Sequence, residues 1–193
     1  MKSAKLIIAL FALAAAAQIM VPASLIVRHE LTLRRGTAWK FKTAPVDPAD
    51  AFRGRYVALG FEERQAPLAG KQQFARGQKA YATLDTGSGG FARFKALSSS
   101  PPSDQPYLRV HVASTSADSA EVELLFDRFY LEEHTAPAVE QAYRESNRRG
   151  QTNATCYALV RIRHGSGVIE NVFIDGKPIR DFARGQGVAN PSF

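Results

Sequence analysis

Cysteine is almost absent from this chain, and histidine is scarce. Cys156 is the only cysteine among 193 residues, so no disulfide can form within one chain. The same count excludes a cysteine-based zinc site and an iron–sulfur cluster. The four histidines are dispersed, at His29, His111, His134 and His164. We therefore predict neither a metal nor a cofactor.

Sequence motifs of common enzymes and nucleic-acid binders are missing as well. The chain has no G-x-S-x-G nucleophile elbow, no glycine-rich phosphate fingerprint and no internal repeat. Lysine and arginine outnumber aspartate and glutamate by 25 to 18, which gives a net charge of +7. These basic residues form no continuous block, so the sequence predicts no nucleic-acid partner. A hydrophobic content of 45% is that of a folded protein.

Charge is absent from one long run near the N-terminus. The 22 residues from Leu6 to Val27 carry no charged side chain, and Lys5 and Arg28 flank them. Because a helix needs about 20 apolar residues to cross a bilayer, we predict a membrane-spanning helix here. A secretory signal cleaved after the alanines at 15–17 is the alternative. The apolar core of such a signal is normally about 7–15 residues long, so the length of the run favours an uncleaved signal-anchor.

The chain divides into four predicted parts. We expect the signal-anchor over 1–27, a juxtamembrane connector over 28–36, a β-rich domain over 37–180 and a polar tail over 181–193. Basic residues flank the apolar run on both sides, and their bias orients long translocated domains poorly. We favour a single-pass protein of the bacterial inner membrane with its domain on the extracytoplasmic side.

The predicted domain is mainly β. Short segments of alternating or continuous apolar residues are separated by Gly, Pro, Asp and Ser, which is typical of antiparallel strands and hairpins. We predict strands over 38–43, 55–62, 78–84, 91–97, 107–113, 120–126, 156–163 and 168–175. Residues 135–150 have the apolar stripe and end signals of one surface helix. The expected fold is a small antiparallel barrel or curled sheet with that helix on its surface.

Three groups of residues could carry chemistry. Asp85–Ser88 matches the Asp-Thr-Gly-Ser string of aspartic proteases, which need two carboxylates that share a proton. The same residues are typical of a hairpin turn, and this interpretation is favoured. Asp47 and Asp50 could form an acid–base pair, but turn capping and exposed ion pairs are the favoured explanation. Glu132–His134 could bind a metal but is better explained as an exposed loop. Cys156 begins an apolar strand and is interpreted as a core residue.

The stretch over 43–61 resembles the signature of the GDYXXLXY family, a bacterial family of small membrane-anchored proteins of unknown function. The motif glycine, first tyrosine and leucine correspond to Gly54, Tyr56 and Leu59. The resemblance extends to the N-terminal segment with Gln18 and Pro22. It also extends to the C-terminal stretch over 169–177.

Two positions depart from this signature. Arg55 stands where the motif has aspartate, and Phe61 stands where it has the final tyrosine. The first change reverses the charge, so we expect no catalytic carboxylate at that position. The second loses a hydroxyl, which indicates that the ring matters more than its oxygen. Both departures favour a structural motif.

The resemblance implies a role beside polytopic membrane proteins. We therefore predict a non-enzymatic accessory or interaction module with a polytopic membrane protein as its partner. Its candidate contact residues are Arg53, Arg55 and Tyr56. Two alternatives remain open. One is a hydrolase that uses Asp85 or the Asp47/Asp50 pair; the other is a binder of a small anionic envelope ligand, which the net positive charge suggests.

Overall fold

A computed structural model describes residues 2–44, 56–70, 72–130, 156–179 and 181. Within these ranges the chain forms one long helix followed by a β-rich domain. The regular elements are α1 (Lys2–Arg35), β1 (Thr37–Ala44), β2 (Tyr56–Ala58), β3 (Gly60–Phe61), β4 (Gln65–Pro67), β5 (Lys79–Thr86), β6 (Ala92–Ser98), β7 (Tyr107–Thr115), β8 (Ser119–Leu124), β9 (Arg128–Tyr130), β10 (Cys156–Arg163), β11 (Ser166–Ile174) and β12 (Lys177–Pro178). A single 3-10 turn, Ser88–Gly90, lies between β5 and β6. The helix predicted over 135–150 lies outside the described residues.

Helix α1 carries the whole apolar run and continues through the segment that was predicted as a connector. Glu30 and Arg34 are four residues apart on this extension and form an ion pair of 2.5 Å. Arginines in the last turn also suit the negative end of the helix dipole. The helix ends where the Gly36 N–H donates a hydrogen bond of 2.8 Å to the Thr32 carbonyl oxygen. The segment is therefore helical because its own charges and its terminal glycine favour a helix.

The first sheet has the strand order β12-β11-β10-β1-β3. In β1, Phe41 and Thr43 are buried whereas Lys40 and Lys42 are exposed, which confirms the alternation that predicted this strand. Strands β10 and β11 join through a two-residue turn with φ of 49° at His164 and 73° at Gly165. These are the dihedral signs of a type I′ hairpin turn. The turn is shorter than the predicted loop because the two residues that follow it already pair with β10.

The second sheet has the strand order β4-β8-β7-β5-β6 and almost closes on itself. Just beyond β4, Leu68 forms a parallel bridge with Leu97 of β6, the strand at the opposite edge. The Ala69 N–H donates a hydrogen bond of 3.0 Å to the Leu97 carbonyl oxygen. The two predicted hairpins, β5–β6 and β7–β8, form its centre. This geometry confirms the expected small antiparallel barrel or curled sheet.

The strand predicted over 55–62 is divided at Leu59. Before it, β2 pairs with β9 as a separate two-stranded ladder, and after it, β3 pairs with β1 of the first sheet. The Leu59 N–H donates to the Asp127 carbonyl oxygen at 2.7 Å. Because the two halves pair with different strands, the one strand predicted over 55–62 is in fact two short strands.

One hydrophobic core lies between the sheets. Its centre is a cluster of phenylalanine rings, in which Phe41 lies 6.0 Å from Phe61, 5.5 Å from Phe126 and 6.4 Å from Phe94. Phe41 and Phe61 belong to the first sheet, whereas Phe94 belongs to the second. The aromatic cluster therefore joins the two sheets into one folding unit.

Candidate functional site

The signature region enters the described structure at β2. Its Tyr56 pairs in register with Tyr130 of β9. Arg53, Gly54 and Arg55, which the sequence offered as motif or contact residues, lie outside the described residues. Strand β2 therefore places the Tyr56–Ala58 part of the signature next to β9. The roles of Arg53 and Arg55 as contact residues and of Gly54 as a motif residue stay predictions.

Leu59 and Phe61 of the signature are buried, with 5% and 4% of their surfaces exposed. The Phe61 ring meets Phe41 and Phe126 edge to face, at centroid distances of 6.0 and 5.5 Å. Edge-to-face pairs at these distances stabilise a core beyond the burial of their area. These two signature positions thus fix the chain in the core, and the ring at position 61 has a packing role.

Two large apolar side chains are exposed close to the signature. Leu125 is 57% exposed and Tyr130 is 64% exposed. Among the described residues outside α1, they are the only large apolar side chains with such exposure. Tyr130 lies in β9, directly opposite the signature strand, and Leu125 precedes β9 by three residues. We call Leu125 and Tyr130 the β9 patch.

The end of α1 packs against the outer face of the first sheet. Thr32 is 4% exposed, and a Cβ at Gly36 would lie 2.4 Å from the Thr32 carbonyl oxygen and 3.1 Å from the Arg161 Cβ. A glycine is therefore required where the helix approaches β10 so closely. Val168, buried but outside the main core, pairs with Arg161 on this same face.

Arg161 joins the helix end to the sheet through its guanidinium. Its Nε donates to Glu170 at 2.6 Å, its Nη2 donates to the same carboxylate at 3.3 Å, and its Nη1 donates to the Gly36 carbonyl oxygen at 3.3 Å. The hydrogen bond to Glu170 raises the pKa of Arg161 above its ordinary value. The contribution of this raised pKa to stability is present at physiological pH and is lost only at strongly alkaline pH.

A cleft of about 260 Å³ opens beside this junction. Residues from three distant parts of the chain line it: the helix end and β1, the loop before β7, and the turn between β10 and β11. Its principal side chains are Arg35, Trp39, Gln105, Tyr107, Arg163 and His164. Sequence analysis missed this cleft, because no local pattern brings these segments together.

Asp85 lies in a hairpin, which confirms the favoured interpretation of the Asp-Thr-Gly-Ser string. The residue is exposed at the end of β5, in register with Arg93, and its Oδ1 accepts a hydrogen bond of 2.8 Å from the Thr86 N–H. No cluster of three metal-ligating side chains occurs within the described residues. Cys156 is half-buried and packs against the core. Asp47, Asp50 and the segment 132–134 lie outside the described ranges.

The comparison with protein families decides the identity of the chain. The model of the GDYXXLXY protein family matches residues 18–172. The chain belongs to the GDYXXLXY family. It matches no curated protein and no solved structure.

Membership in the GDYXXLXY family agrees with the resemblance carried by the stretch over 43–61. The matched region begins inside α1 and ends in β11, so it includes part of the apolar helix as well as the two sheets. Part of the apolar helix and most of the β-rich domain thus lie within one family match. A fold alone does not determine function, so the function of this chain depends on its specific sites.

Proposed function

We propose that this GDYXXLXY protein is a membrane-anchored, non-enzymatic accessory module of a polytopic membrane protein. One observation carries the proposal. Eleven large apolar side chains of α1, between Ile7 and Val27, are 55–74% exposed. The helix is long and apolar enough to cross a membrane. Insertion into a bilayer would cover these side chains, whereas water would leave an apolar surface far larger than a soluble domain normally exposes.

The packing of α1 on the first sheet supports the role of an accessory module. The helix ends in direct contact with the domain, so an inserted helix would keep the domain close to the bilayer surface. That location raises the effective concentration of the domain toward any partner in the same membrane, and even a weak contact would be populated.

The β9 patch supports a specific contact. Exposed aromatic and aliphatic side chains beside a family signature are the kind of groups that become buried at protein interfaces. In this proposal, an extracytoplasmic surface of the partner contacts the β9 patch and the candidate contact residues Arg53, Arg55 and Tyr56. The net charge of +7 suits an inner-membrane location, because it favours a surface rich in anionic lipids.

Photo-crosslinking in intact cells tests the partner. A photoreactive amino acid replaces Leu125 or Tyr130 in the full chain, and the exposed Lys95 of β6 serves as the control position. The proposal expects a discrete adduct from the β9 patch that contains a multi-span protein, and its loss when Arg53, Arg55 and Tyr56 are all changed to alanine. Equal adducts from Lys95, or adducts only with water-soluble proteins, would contradict it.

Protease treatment of spheroplasts tests the topology. A C-terminally tagged protein that is digested from outside as a full-length species supports an anchored, exported domain. A shortened, soluble species would instead indicate a cleaved signal. Complete protection until lysis would place the domain in the cytoplasm and contradict the proposed orientation.

A further inference from the structure

We propose that the cleft at the end of α1 is a binding site for a phosphate-bearing group. The described lining of the cleft is basic. Arg35 and Arg163 both line the cleft, His164 lies beside them, and none of the described residues that line it is an aspartate or a glutamate. Neither guanidinium forms an ion pair within the part of the chain that the structure describes, whereas the neighbouring Arg34 and Arg161 each bind a glutamate. Guanidinium groups bind phosphate oxygens through paired hydrogen bonds.

The hydrogen-bonding groups of the cleft also favour an anionic ligand. Arginine and tryptophan side chains only donate hydrogen bonds. The Gly165 carbonyl oxygen at the cleft already accepts hydrogen bonds from the backbone N–H and the Nε of Arg109, at 2.9 and 3.5 Å. The guanidinium groups of Arg35 and Arg163 therefore supply donors in the cleft that an oxyanion would satisfy.

The walls of the cleft are held by packing. A Cβ at Gly165 would lie 2.5 Å from Cε2 of Tyr107, so the tyrosine ring rests directly on the turn. The same ring meets Tyr81 edge to face at 5.8 Å. Trp39 packs on the hydrophobic core. A rigid frame of this kind holds donors in place before a ligand arrives, which lowers the entropy lost on binding.

Size and position restrict the ligand. The volume of about 260 Å³ lies below the roughly 300–1,000 Å³ of pockets for drug-sized molecules, and it far exceeds the share of one water, about 30 Å³. Arg35 lies eight residues beyond Val27, or about 12 Å along the helix. The headgroup layer of a bilayer is about 5–8 Å thick on each side. With α1 inserted as proposed above, on which this step rests, the cleft lies just outside the headgroups, where a phosphate can come from a protruding lipid headgroup or from a soluble phosphorylated molecule.

Fluorescence can report on this cleft alone, because Trp39 is the only tryptophan in the chain. The full-length protein is placed in phosphatidylcholine bicelles, which contribute no tryptophan, and titrated with pyrophosphate. We expect a saturable change in Trp39 emission. Arg163→Gln and Arg35→Gln should each weaken binding by at least about tenfold, which is the loss of one charge-assisted hydrogen bond or more. Arg76→Gln is the matched control, since Arg76 is exposed near the opposite end of β7. Unfolding midpoints in urea verify that all variants fold.

A second arm separates the two sources of phosphate. Bicelles that contain phosphatidylglycerol are examined with and without pyrophosphate. Emission already at its saturated value, with no further response, would assign the site to a lipid headgroup. An unchanged response to pyrophosphate would assign it to a soluble ligand. No change in emission with either probe, or equal weakening by Arg76→Gln, would overturn the proposal.

Discussion

Phe61 shows how one residue of the family signature acts through packing. The signature has tyrosine at this position, and the ring of Phe61 is buried between Phe41 and Phe126. The sequence alone indicated that the ring matters more than a hydroxyl, and the structure supplies the reason. By contrast, no sequence pattern could indicate that, among the described residues, Trp39 Nε1 lacks an acceptor and Arg163 has no carboxylate partner. Those properties depend on which distant segments come together.

Substitution at this position provides a direct test. Phe61→Ala should lower the free energy of unfolding by about 3–5 kcal/mol, because it leaves a cavity in the aromatic cluster. Phe61→Tyr keeps the ring and restores the signature residue, so we expect a loss below about 1.5 kcal/mol. Urea unfolding in detergent micelles, followed by Trp39 emission, measures both. If the two variants lost equal stability, the packing role of the ring would be wrong.

At the scale of secondary structure, the sequence predicted the hairpins, because these depend on residues that are close together in the chain. The hairpins β5–β6, β7–β8 and β10–β11 follow from alternation and from turn residues, and all three are present. The strands β4, β9 and β12 were missed, because two or three residues show no periodicity. The division at Leu59 was also missed, because it depends on pairing with β9 and β1, which lie far away in the sequence.

The junction between α1 and the first sheet yields a second prediction. Arg161→Gln removes the charged contacts to Glu170 and weakens the contact to Gly36. Because both partners of the ion pair are partly exposed, we expect a loss of about 1 kcal/mol. Tryptic cleavage after Arg34 and Arg35 requires the helix end to leave the sheet, so its rate should rise about fivefold if it follows that opening equilibrium.

The control for this experiment is another arginine on a strand. Arg93→Gln changes an exposed residue of β6, outside the contacts of the helix end, and removes one tryptic site at a distance. Cleavage after Arg34 and Arg35 should keep its native rate in that variant. A native rate in Arg161→Gln as well would show that Arg161 does not hold the helix end to the sheet.

At the scale of the whole molecule, α1 has two different environments along its length. Around Ser24 its side chains are exposed in the protein, and in the proposed anchor only lipid would cover them. Around Thr32 the sheet covers the helix. Both positions lie in one continuous helix, two turns apart. The point at which α1 passes from the proposed bilayer to the sheet sets the distance between the bilayer and the domain.

Single cysteines can distinguish the part of α1 that would lie in lipid from the part that packs on the first sheet. Cys156→Ala removes the only native thiol, after which Ser24→Cys and Thr32→Cys are introduced separately into the full chain. In native vesicles, both should resist a membrane-impermeant maleimide, one through lipid and the other through protein. In urea, the thiol at position 32 should become reactive as the domain unfolds, whereas the thiol at position 24 should stay protected, because urea does not remove the bilayer. Rapid labelling at position 24 in native vesicles would contradict the membrane anchor. Rapid labelling at position 32 before unfolding would instead contradict the packing of α1 on the sheet.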